Sequence, residues 1–226
     1  MQSGFRDLTR HTRWLVGLLV AGLALDAVNG WTSWLALQAL ELPDATTDDI
    51  DPAMLVQALV GLLLLIVELV IVVVFGIWIV RAHRNLPELG ASELDVTPGW
   101  ALGWFFVPIA FYWKPYQAMR TLLCASRNPQ HWQAESVPWW LPGWWTLWIL
   151  SNLLGQAALK MSLRPGNAST NILVAQLDVI AAPVDLVLSA FAILLVTRIW
   201  SAQLAQRAAG PLPNPVAEVV PPAIAP

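Results

Sequence analysis

The chain has 226 residues, 57% hydrophobic and only 12% charged, about half the ~25% charge of an ordinary soluble domain. A net charge of -3 without a dense basic run argues against a nucleic-acid partner. The single cysteine, Cys124, excludes an intramolecular disulfide, and neither a CxxC motif nor a zinc-type Cys/His cluster occurs.

In chain order, residues 1–13 form a short basic segment, expected to be cytoplasmic. Arg6, Arg10 and Arg13 precede an apolar run, as they would in a secretion signal. The run extends far past a roughly 7–15-residue signal core and carries Asp26 and Asn29, so it is read as a retained first span at 14–40. Further runs at 54–80, 139–159 and 172–200 each reach the ~20 residues that cross a hydrocarbon core about 30 Å thick. The predicted fold is all-α: an integral membrane helical bundle of four transmembrane helices, with a membrane domain at 14–207. An acidic break from Glu41 to Pro52 separates the first two spans, and Asp51-Pro52 suits a helix start. A second break, Arg81 to Pro98, ends in the turn signal Thr97-Pro98-Gly99. Residues 208–226 form a Pro-rich tail without the composition for a packed core, and disorder is expected there.

The segment 99–127 is expected to be re-entrant, interfacial or a kinked spanning helix. Its apolar part, GWALGWFFVPIAFYW, is interrupted by Pro108 and closed by Lys114-Pro115, which falls short of a full span. The continuation sets Met119, Leu122 and Leu123 against Gln117, Arg120 and Thr121, the pattern of an amphipathic surface helix. Basic residues favour no crossing. With a cytoplasmic N-terminus, Arg6, Arg10, Arg13, Arg81, Arg84, Lys114, Arg120, Arg127, Arg198 and Arg207 all lie inside, and only Lys160 and Arg164 outside. Both termini are then cytoplasmic.

Polar residues within the spans follow helical spacing. Gly22, Asp26, Gly30 and Ser33 share a face of the first span, with Asn29 beside them. Gln57, Gly61 and Glu68 line the second, Asn152 and Gln156 the third, and Asp178, Ala182, Asp185 and Ser189 the last. Small residues permit close helix approach and polar ones bond across helices where water is absent, so the stripes are expected to face inward. A carboxylate at mid-bilayer costs at least ~2.5–3.5 kcal/mol at insertion, so Asp26, Glu68 and Asp185 need a reason. Either they hold the bundle together as neutral acids, or they line a polar route for a proton or cation together with Asn29, Asn152, Gln156 and Asp178.

No cofactor or metal is expected. His11, His83 and His131 fall outside the spans and are expected to be solvated, whereas a membrane haem would need histidines within them. Walker A, GxSxG and HExxH patterns are absent. Asn167-Ala-Ser169 matches a glycosylation sequon. Trp139, Trp140, Trp144 and Trp145 crowd the start of the third span, as an interfacial belt would.

Residues 78–120 contain W-x-x-RAHRNL, then TPGWA-x-GWFF-x-P, then WKPYQAMR. This combination resembles the signature of a bacterial polytopic membrane family known only as a domain of unknown function. The resemblance implies a bacterial origin and a location in the cell (inner) membrane, and carries no activity with it. Within the block, Arg81, His83, Arg84, Asn85, Trp100, Pro108, Trp113, Lys114, Pro115, Tyr116 and Arg120 are candidates for lipid or ligand contact. Three functions follow as expectations. The first is a structural or interaction bundle, its partners being membrane lipids and either its own copies or another membrane protein. The second is a proton- or cation-linked transporter or channel using the intramembrane carboxylates. The third is a lipid-headgroup enzyme near Lys114, Tyr116 and His83, which lacks a recognisable nucleophile–base pair.

Overall fold

A computed structural model describes residues 4–40, 52–163 and 168–210. Among these the chain is all-helical, with 84% helix and no strand. The acidic loop, the sequon asparagine and the Pro-rich tail lie outside the described residues. The principal helices are α1 (Thr9–Leu40), α2 (Pro52–Glu88), α3 (Pro98–Gly103), α4 (Lys114–Arg127), α5 (Trp140–Ser162) and α6 (Ala168–Ala209). Three of them, α1, α2 and α6, are long and apolar enough to cross a membrane. The fourth, α5, has 23 residues but breaks its apolar run with Ser151, Asn152, Gly155 and Gln156.

Side-chain pairs give the helix directions. Trp78 of α2 donates its indole N–H to Thr12 of α1 at 3.0 Å, and Gln57 donates to Ser33 at 3.2 Å. Between them, a Cβ on Gly22 would lie 3.7 Å from the Glu68 carboxyl. The two helices are therefore antiparallel and in step over most of their length. Helices α1 and α6 are also antiparallel: Trp200 donates to Thr9 at 3.3 Å, while far along the pair Gly30 packs directly on Ala182. A Cβ at residue 30 would come within 2.5 Å of the Ala182 methyl, so this close approach requires glycine. Helix α5 runs against α6, with Trp139 edge-on to Phe191 and Ser151 beside Asp185.

The sequence reading placed a break at Arg81, yet α2 continues as helix through Glu88. One face of its polar last two turns, Ala82, His83, Asn85 and Leu86, is covered by protein, so these turns form helix without being apolar. The end is a Schellman closure: Ala91 N–H bonds the Leu86 carbonyl at 3.0 Å and Gly90 N–H bonds that of Pro87 at 3.0 Å. Gly90 sits at φ 93, which only glycine adopts readily, and Leu86 and Ala91 meet in the core. Pro87 lies within this last turn and forfeits one amide bond, so it accompanies the helix end but does not begin it.

Segment 99–127 is broken into short pieces. Thr97 caps α3, Pro98 opens it, and 3-10 turns follow at Trp104–Phe106 and Ala110–Tyr112 before α4. With 14 residues, α4 is the longest piece, about 21 Å at 1.5 Å per residue, too short to span. A single kinked helix does not form. The expected surface helix is also corrected, because α4 buries Ala118, Met119, Thr121, Leu122, Leu123, Cys124, Ala125 and Ser126. Thr121, assigned to its wet face, is inside. This helix plugs one end of the bundle, where it meets the ends of α2 and α6 and packs against α5.

Candidate functional site

Burial divides the molecule into two zones. Along the helices, Leu59, Val73 and Ile180 are all more than half exposed, as lipid-facing side chains would be. At the plugged end, Trp78, Ile79, Ala82, Leu86, Met119 and Ile199 are wholly covered. This zone also holds buried polar side chains that bond to one another and to the backbone. Asn85 accepts from the Arg6 amide at 2.9 Å, donates to the Arg6 carbonyl at 2.9 Å and donates to Gln203 at 3.0 Å. Gln203 in turn donates to the Ala82 carbonyl at 3.0 Å and the Ser126 hydroxyl at 3.1 Å. Four elements are thereby tied at one point: the N-terminal segment, α2, α4 and α6. Buried amides satisfied in this way are positionally specific, because displacing any one leaves a desolvated partner unpaired.

His83 belongs to the same zone. It is 2% exposed, which corrects the expectation of a solvated histidine. Its Nδ1 lies 3.0 Å from the Ile79 carbonyl and its Nε2 3.2 Å from the Ala118 carbonyl of α4. Desolvation pushes its pKa down to about 4, so the imidazole is neutral near pH 7 and its one N–H donates to one of these carbonyls. It faces neither Lys114 nor solvent. His11 is half-buried, its Nδ1 3.3 Å from an Arg81 guanidinium nitrogen, and its Nε2 is buried without a partner. His131 is exposed.

The remaining signature residues separate by environment. Pro115 is buried, and Tyr116 and Lys114 are half-buried. The Lys114 ammonium sits 5.6 Å from the Trp104 ring, which is tilted against Trp100 with ring centroids 4.6 Å apart. Trp100, Pro108, Trp113, Arg84 and Arg120 are exposed, and Arg81 is half-buried. The expected tryptophan belt at the start of α5 is corrected in part. Trp139 is 76% exposed, but Trp144 and Trp145 are core residues, and Trp145 donates to the Tyr112 carbonyl at 2.9 Å.

The carboxylates expected within the spans come from three helices, Asp26 from α1, Glu68 from α2, and Asp178 and Asp185 from α6, and Asp26, Glu68 and Asp185 lie near one another. Asp26, Asp178 and Asp185 are half-buried; Glu68 remains exposed, although its carboxyl reaches toward Gly22. Of the other polar candidates, Asn152 donates to the Trp148 carbonyl one turn back at 2.8 Å, Gln156 is exposed, and Asn29 is half-buried, its backbone carbonyl accepting from the Thr32 hydroxyl at 3.0 Å.

Sequence reasoning missed Gln203 and the Arg6 backbone, which complete the tie, and Thr12, which accepts from Trp78. Gln203 shares a helical face with Leu195, Val196 and Ile199, so the apolar periodicity running past residue 200 was the available signal.

All-helical architecture among the described residues, three membrane-length apolar helices and one plugged, polar-tied end define the class. The profile of the domain of unknown function DUF4328 matches residues 43–201, and the chain belongs to that family. No curated protein and no solved structure matches it.

Proposed function

We propose that this chain is a multi-pass bundle of the bacterial inner membrane whose role is structural, an interaction scaffold organised on its plugged end. The observation that carries this reading is how the family signature is used. Trp78, Ala82, His83, Asn85, Leu86, Ala118 and Met119 are at most 2% exposed, and their polar atoms meet other parts of the same chain. Residues held in this way support a shape and are poorly placed to meet a substrate.

Four crossings are supported by the chain path. Helices α2 and α6 both finish at the plugged end, and α6 begins far from it. The chain between them must therefore travel outward, and α5, antiparallel to α6, is the helix that does so. At 23 residues it is about 34 Å long, enough for the hydrocarbon core. Residues 4–12 and 199–207 then share the side that carries Arg81, Arg84 and Arg120, which the positive-inside rule makes cytoplasmic. On this reading 1–13 is a cytoplasmic segment, 14–207 the membrane domain and 208–226 a tail.

The second reading, proton- or cation-linked permeation, draws on the mutual approach of Asp26, Glu68 and Asp185. Proteoliposome flux separates the two. The scaffold reading predicts that wild type and the folded D26N, E68Q and D185N variants leak protons and cations no faster than protein-free vesicles. A wild-type flux abolished by D185N in a folded protein would overturn it.

A further inference from the structure

A cavity of about 480 Å³ lies on the outer face of α2 where that helix leaves its apolar stretch, within the ~300–1,000 Å³ range of small-ligand sites. Its lower wall is aliphatic: Val72, Val73, Gly76, Ile77 and Val80, roofed by Leu102 and Phe106. Three arginines, Arg6, Arg81 and Arg84, line its other end. Among the described residues, none of the three is ion-paired with a carboxylate; Glu88, the nearest acid in sequence to Arg84, accepts the Gly4 amide at 2.9 Å.

The site is built by the fold. Arg81 and Arg84 are three residues apart on one helix face. Arg6 is delivered from the N-terminal segment by the two-way clamp of Asn85 on its backbone. Arg81 is steadied by His11. Gly76 lets the roof close, since a Cβ there would meet Leu102 at 3.1 Å. Phe106, 71% exposed, projects beside the apolar wall.

We propose that this groove binds one anionic glycerophospholipid of the cytoplasmic leaflet, its phosphate on Arg6, Arg81 and Arg84 and an acyl chain along Val73, Ile77 and Phe106. Uncompensated arginines directly above a lipid-facing aliphatic wall match a molecule that is anionic at one end and hydrocarbon at the other. A soluble phosphate would use the rim and leave the wall empty. The proposal rests on the membrane reading above and gives the scaffold a lipid-dependent end.

Native mass spectrometry of the detergent-purified full chain tests it, comparing phosphatidylglycerol and phosphatidylcholine of identical chains. The expected result is selective retention of phosphatidylglycerol. R84Q should lower it about fivefold and R81Q/R84Q about twenty-five-fold, at ~1 kcal/mol per arginine. R127Q, whose arginine pairs with Glu135 outside the groove, should leave it unchanged. V73W, at a site already 60% exposed, fills the wall and should also lower retention. Equal retention of the two lipids, or unchanged retention in R84Q, overturns the proposal. So does displacement of the lipid by millimolar inorganic phosphate, which would make the rim a phosphate site. Arg84 is exposed, so R84Q decides alone if the double variant fails to fold. Carbonate extraction of membranes is the separate check. A chain released by carbonate fails the membrane reading, whereas a chain that stays embedded without lipid preference fails only the lipid site.

Discussion

Replacing Asn85 with alanine removes three hydrogen bonds from one wholly covered side chain. Their losses differ. The Arg6 amide and carbonyl are only part-buried, so water can replace Asn85 there, and each bond contributes roughly 0.5–1 kcal/mol. The Gln203 oxygen is buried and loses the donor it had, a penalty of about 1–3 kcal/mol. The total is near 3 kcal/mol, or about 6–12 °C in Tm for a chain of this size. Q57A provides the comparison, since it removes one 3.2 Å bond to Ser33 at the other end of the bundle and should cost at most ~1 kcal/mol. Thermal unfolding of both purified variants, followed by size-exclusion retention after heating, measures the difference. A Tm for N85A no lower than that of Q57A would refute the claim that the signature asparagine ties the plugged end.

Stability should also respond to pH through His83. Burial holds its pKa near 4 against an ordinary 6.5, so between these values the unfolded chain binds a proton that the folded chain refuses. Stability is full above about pH 6.5 and falls as pH drops toward 4, by roughly 3 kcal/mol at 1.36 kcal/mol per pH unit. A Tm–pH profile of H83L, which should be flatter than wild type across that window, checks the sign; a parallel profile would contradict it. His11, lowered by burial and then by Arg81, acts in the same direction and is present in both proteins. G30L forces α1 off Ala182 and should cost about 1–3 kcal/mol, read as a lower Tm; an unchanged Tm would deny the close α1–α6 approach. G90A places an alanine at φ 93 and should cost about 1–3 kcal/mol, checked the same way.

Sequence patterning revealed the long helices because twenty-odd apolar residues in a row have few alternative structures. The stripe Gly22, Asp26, Gly30 and Ser33 was legible for the same reason: helical spacing of small and polar residues is a local property. Its facing was then visible in Gly22 against Glu68, Gly30 against Ala182 and Ser33 against Gln57. The last turns of α2 were not legible, because Arg81 to Glu88 are polar and polarity alone suggests a loop. What keeps them helical is cover from residues far away in the chain, such as Gln203, which is 118 positions from Asn85. The burial of Trp144 and Trp145 was hidden similarly, since a tryptophan at a membrane interface and one packed on Phe105 have the same local sequence. Asn152 shows the opposite limit. Its spacing from Gln156 suggested a bond across helices, but its amide reached a carbonyl one turn away first.

Labelling of single cysteines from each side of the membrane tests the arrangement most directly. Ser92, Gln130 and Leu163 are exposed and suit substitution, and native Cys124, 1% exposed, gives little background. S92C and Q130C should react with an impermeant maleimide only from the cytoplasmic face, and L163C only from the opposite face. Reaction of S92C and Q130C from opposite faces, or of L163C from the same face as S92C, would contradict a four-crossing bundle plugged at its cytoplasmic end.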